Sequence, residues 1–182
     1  MIEGRSKKTM EPGKWDKNIL YETPPNPFHP PGSFPGTEMF VLDGNAIPGA
    51  IRVMVAWFAG PWKQDDIFKP HAHNHDEVLM FLGSDPDNPR DLGGEVEFWI
   101  EDDQYLLNRS CIIHVPAMVQ HAPMIPRRVD DPKKPILFTG IVPTTKSDDV
   151  MYYSRDPKWS EYRDPIMDWE GATVRWLDEL VR

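Results

Sequence analysis

A single cysteine, Cys111, stands in a chain of 182 residues. No internal disulfide can hold the fold, and no paired-cysteine metal site can form. A reducing compartment fits that shortage. With a polar N-terminus that lacks the apolar core of a secretory signal, it leads to the expectation of a cytoplasmic protein. Long apolar runs are also missing: none approaches the ~18 residues of a membrane-spanning helix. Basic residues are in deficit, with 20 Lys and Arg against 29 Asp and Glu, a net charge of −9. A field of that sign repels phosphate backbones and anionic lipid, so neither nucleic acid nor membrane is an expected partner. A Gly-rich phosphate loop and a Ser–His–Asp pattern are absent as well.

Proline is in excess, at 20 residues, about twice the ordinary share of roughly 5%. Seven of those prolines fall between Pro12 and Pro35. Residues 1–37 therefore read as an extended, proline-rich N-terminal arm, unable to form a sheet interior. The arm also carries Trp15, Phe28 and Phe34, which suit packing on the domain or on a second subunit. From residue 38 to 143 short apolar runs alternate with turn clusters. Glu38–Leu42, Ile51–Phe58, Glu77–Leu82, Glu95–Ile100, Tyr105–Leu107, Cys111–Val115 and Ile136–Val142 read as strands of an all-β domain. Residues 144–182 form a C-terminal extension. Within it Val174, Leu177 and Val181 fall on one helical face, which predicts a terminal helix.

Three histidines crowd the segment His71-Ala72-His73-Asn74-His75-Asp76-Glu77. His71, His73 and Glu77 share parity, so a strand would project them to one face. Neutral imidazoles with one carboxylate suit Fe, Ni, Cu or Zn. The other reading of the same residues is a solvated, His-rich turn. Cys111–Val115 follows some way downstream, then Pro116 and His121.

Here the chain resembles the cupin superfamily. Its first motif, G(X)5HXH(X)3,4E(X)6G, is matched by His71, His73, Glu77 and Gly83, the last gap one residue short and the leading glycine absent. Its second, G(X)5PXG(X)2H(X)3N, is matched at Pro116 and His121, while Ser110, Met118 and Ile125 stand at its other positions. The resemblance implies a cupin-type double-stranded β-helix, a jelly-roll barrel over residues 38–143. It also implies one divalent transition metal per chain on His71, His73, Glu77 and His121, with Fe preferred over Mn, Ni or Zn. His75 falls outside that register and is expected beside the ligands rather than among them. His114 is expected to pack or to lie at the rim.

Three imidazoles and one carboxylate leave about two positions on an octahedral ion, room for a small organic ligand. The expected function is a metal-dependent enzyme acting on a phenol, enol or oxo-acid, foremost a dioxygenase, with a non-redox lyase or isomerase behind it. The alternative is a metal-containing protein that binds or senses a small molecule. Pocket walls are expected from Met54, Trp57, Phe58, Phe81, Trp99, Met118 and Met124. Arg52, on the Met54 face of its strand, is a candidate contact for a substrate carboxylate. Strands apolar on both faces, together with the arm, suggest a homodimer.

Overall fold

A computed structural model describes residues 14–22, 37–63, 67–145, 148–162 and 173–181. Its strands are β1 (Thr37–Leu42), β2 (Ile51–Phe58), β3 (His71–His73), β4 (Glu77–Leu82), β5 (Asp91–Ile100), β6 (Asp103–Arg109), β7 (Cys111–Val115), β8 (His121–Val129), β9 (Ile136–Thr145), β10 (Val150–Tyr153) and β11 (Thr173–Trp176). They form two sheets, in the orders β1-β2-β9-β4-β7 and β11-β10-β3-β8-β5-β6. Among the described residues no helix is long and apolar enough to cross a membrane.

Two expectations fail here. The jelly-roll barrel does not form. Closure needs the outer strands of a sheet to hydrogen-bond each other, whereas β1 and β7 end one sheet and β11 and β6 end the other. The double-stranded β-helix is thus replaced by two open sheets. The C-terminal helix is also absent. Thr173–Trp176 alternates between exposed and half-buried positions and pairs in parallel with β10; only Leu177–Val181 coils, as a 3₁₀ turn. β-Branched Thr173 and Val174 beside Trp176 favour a strand, and the open edge of β10 supplies the partner that a helical face would have lacked. Most of the N-terminal arm, including Phe28, Phe34 and His29, lies outside the described residues. Trp15, within them, is 62% exposed.

The core lies between the sheets. Ala56, Phe58, Leu79, Phe81 and Phe138 come from the first sheet, and Val96 and Phe98 from the second. Strand alternation explains the choice: β4 buries Glu77, Leu79 and Phe81 and leaves Val78, Met80 and Leu82 half-buried on the far face. An aromatic chain crosses the gap. Phe58 stacks on Phe138 at 5.5 Å, Phe138 meets Phe81 at 5.2 Å, and Phe81 meets Phe98 at 6.1 Å. Its last ring lies 6.4 Å from that of His121, so the packed core ends against the histidine cluster.

Two backbone positions set how closely the strands approach. A Cβ on Gly83 would collide with the Asp91 carbonyl, which is backbone and cannot swing aside. Ser110 seals this corner: its hydroxyl accepts from Gly83 N–H at 2.8 Å and donates to the Pro89 carbonyl at 2.6 Å. Met118 has φ 66°, a left-handed conformation that costs a side-chain-bearing residue roughly 1–2 kcal/mol. Gly83→Ala is expected to destabilise the fold by about 1–3 kcal/mol. Met118→Gly, at a half-exposed turn, is expected to add about 0.5–1 kcal/mol. Urea denaturation checks both, as opposite shifts in midpoint at an unchanged slope.

Candidate metal centre

The histidines are brought together by sheet pairing. His71 on β3 lies directly opposite His121 on β8, and their rings approach to 4.6 Å between centroids. His73, two residues along β3, shares the face of His71. One potential ligand atom from each of the three lies within 4.8 Å of the others.

What each ring does with its other nitrogen orients the cluster. Nδ1 of His71 faces the Lys69 carbonyl at 3.5 Å, Nδ1 of His121 the Val119 carbonyl at 3.1 Å, and Nδ1 of His73 the Asp149 carboxylate at 3.0 Å. Carbonyls and ionised carboxylates only accept, so Nδ1 carries the proton and Nε2 keeps its lone pair. Burial, then the charges of His121 and His73, hold His71 well below an ordinary imidazole, so it is neutral at pH 7.

Glu77 arrives from the opposite sheet. Its Oε2 lies 2.8 Å from His121 Nε2 and 3.7 Å from His73 Nε2. Burial alone would raise its carboxyl; the neighbouring imidazoles of His121 and His73 and the Arg52 guanidinium outweigh this and hold it below the usual carboxylate range. The 2.8 Å approach is not a hydrogen bond, because buried His121 Nε2 has no partner of bonding geometry. Two lone-pair atoms each about 2.1 Å from one ion, at right angles about it, would lie roughly 3.0 Å apart. The three imidazoles can therefore hold a divalent cation, with the Glu77 carboxylate beside them. Glu77 does not share a strand with His71 and His73: the chain bends at Asn74–Asp76 and changes sheet, so β3 and β4 belong to opposite sheets.

Behind His73 stands a buried ion pair. Asp149 accepts from His73 and lies 2.6 Å from Nη1 of Arg52. Burial would raise the Asp149 carboxyl, but the His73 hydrogen bond and the charges of His73 and Arg52 lower it. Arg52 is thus placed on Asp149 and does not line the pocket. The position of Asp149 is secured by the two residues that follow His73. Asn74 accepts from Val150 N–H at 2.7 Å, and its side chain donates to the Asp148 carbonyl at 3.0 Å. His75 bonds that same carbonyl through Nε2 at 3.1 Å, exposed and away from the cluster. His114 is a rim residue, pairing with Asp76 at 3.0 Å.

A pocket of about 120 Å³ opens onto His71, Glu77 and His121, and its remaining walls are apolar among the described residues. Of the expected wall residues, Met54 and Met124 line it. Phe58 and Phe81 are sealed in the core. Trp57 meets Phe40 on the outer face of the first sheet, and Trp99 meets Trp159 outside the second. Met118 is exposed. Met39, Trp62 and Phe68 take their places. Within the described residues nothing supports the expected dioxygenase chemistry or the homodimer.

No protein-family model and no curated protein matches the sequence. Solved structures with distant likeness include KdgF from Halomonas sp., 13% identical over 60% of this chain and 82% of that one, at a TM-score of 0.37. A cupin superfamily protein from Desulfitobacterium hafniense is 13% identical over 58% and 76%, at 0.38. A putative sugar phosphate isomerase from Acidithiobacillus ferrooxidans is 19% identical over 65% and 67%, at 0.40. Likenesses this remote assign neither a substrate nor a reaction to the chain.

Asp149→Asn would remove the anion behind His73 and leave a neutral amide beside Arg52. The metal affinity of the cluster is expected to fall about 10- to 100-fold, as measured by competition with a chelator of known affinity.

Proposed function

We propose that this chain is a metal-dependent enzyme of the cupin superfamily, holding one divalent transition metal on His71, His73, Glu77 and His121 and acting on a small organic molecule. The observation that carries this reading is the matched orientation of the three imidazoles: every Nδ1 is engaged and every Nε2 is left for a shared ion. A solvated, His-rich turn would have no reason to bury His73 and His121 at the cost of desolvating them. A divalent ion bound there supplies a Lewis acid that polarises a carbonyl, enol or phenol oxygen.

The chain's own residues do the rest. Glu77 fixes one negative charge in the donor set. Asp149, with Arg52 behind it, holds the His73 ring in one orientation. Phe98, Leu79 and Met124 keep water from the body of the ligand and leave its polar head to the metal end of the pocket.

The test is reconstitution of untagged protein under anaerobic conditions with Fe(II), Mn(II), Ni(II) or Zn(II), followed by elemental analysis. About one metal per chain is expected. His73→Ala should lose most of it while keeping a β-type circular dichroism spectrum, and His75→Ala should retain it. Less than ~0.2 metal per wild-type chain at neutral pH overturns the proposal. Oxygen uptake and product analysis on phenols, enols and oxo-acids then separate redox from non-redox turnover.

A further inference from the structure

The walls of the pocket restrict what charge it can take. Among the described residues, apart from His71, Glu77 and His121, every residue lining it is apolar, and none is Lys or Arg. The buried cation nearby, Arg52, is held at 2.6 Å by Asp149, and that pair sums to zero. Three imidazoles that bind through a nitrogen lone pair add no charge and the Glu77 carboxylate adds one negative charge, so a divalent ion leaves the site at +1. One anionic head cancels that charge. A second anionic group would lie against Phe98, Leu79 or Met54 with no cation to meet it, and burying an unpaired charge is costly. Size limits the body: an apolar cavity of roughly 150 Å³ takes one benzene ring, and this pocket holds about 120 Å³.

We infer that the site selects a small monoanionic chelator, with one acidic enol or phenol head and an apolar body of about one ring, and rejects phosphorylated or polycarboxylate molecules of similar size. This rests on the metal reading above and adds the charge and size of the ligand. The walls carry it: they discriminate against charge placed away from the metal, whatever the head group.

The experiment uses the Zn(II)-loaded full chain, its metal content confirmed first, and calorimetric titration with three probes. Tropolone is the monoanionic chelator, tropolone-5-sulfonate adds a remote charge, and tropolone-5-sulfonamide adds similar bulk without charge. Tropolone is expected to bind about 30-fold or more tighter than the sulfonate, with the sulfonamide much nearer to tropolone. Met39→Lys, which puts a cation in the wall from the edge strand β1, should narrow the gap to within about 3-fold. Equal binding of tropolone and sulfonate, or no binding of any probe to metal-loaded protein, overturns the inference while the metal site stands. Equal rejection of sulfonate and sulfonamide makes the exclusion steric and overturns the charge argument. A wild-type chain that takes up no zinc removes the metal reading and this inference together. If Met39→Lys does not fold, the wild-type comparison of the three probes still decides.

Discussion

The Asp149 carboxylate ties the centre to both sheets. It sits between β9 and β10, accepts from His73 on β3 in one sheet, and meets Arg52 on β2 in the other. Taking two charges out of water is expensive, and their mutual attraction repays it only when both stay in place; breaking such a pair costs about 3–5 kcal/mol. Arg52 and Asp149 are 4% and 1% exposed, so neither can turn to solvent. The ring of His73 inherits that immobility. Asn74 and His75, which bond the backbone on either side of Asp149, extend the same restraint into the bend that carries the chain from β3 to β4.

Away from this polar pair the core between the sheets is built on aromatic and aliphatic packing. The rings of Phe58, Phe138, Phe81 and Phe98 meet in a chain across the gap that ends at His121. Polar and apolar requirements are therefore met at opposite ends of one core. The ion pair keeps its charges balanced behind His73, and the aromatic packing leaves the pocket without a charge of its own beyond the cluster. The selectivity inferred for the pocket would thus follow from how the sheets pack.

Much of this was legible in the sequence. Ile51–Phe58, Glu77–Leu82 and Cys111–Val115 are strands with the bounds that alternation and turn residues indicated, and the histidines read from spacing and resemblance do meet. Three features were hidden for physical reasons. β8 contains Pro123 and Pro126, which argue against an interior strand; it lies between β3 and β5 because register shifts beside Val96 and Phe98 absorb the missing donors. β3 is only three residues long, too short to show a period distinct from β4, so the change of sheet at Asn74–Asp76 left no pattern. Asp149 lies 76 residues from His73, and no local motif marks a contact made at that separation. Met118, where the second motif carries glycine, adopts the left-handed backbone that the glycine would have supplied, so the conformation persists without the residue.

The bend at Asn74–Asp76 makes the donor set span two layers, with three imidazoles on one sheet and the Glu77 carboxylate on the other. Under the proposed four-donor reading, an ion shared by them would act as a cross-link between the layers. Its binding free energy then adds to whatever holds the sheets face to face, because a chain whose layers have parted can no longer present all four donors. On that reading cofactor supply and the persistence of the fold would be one quantity, and a cell short of the metal would be short of the protein as well.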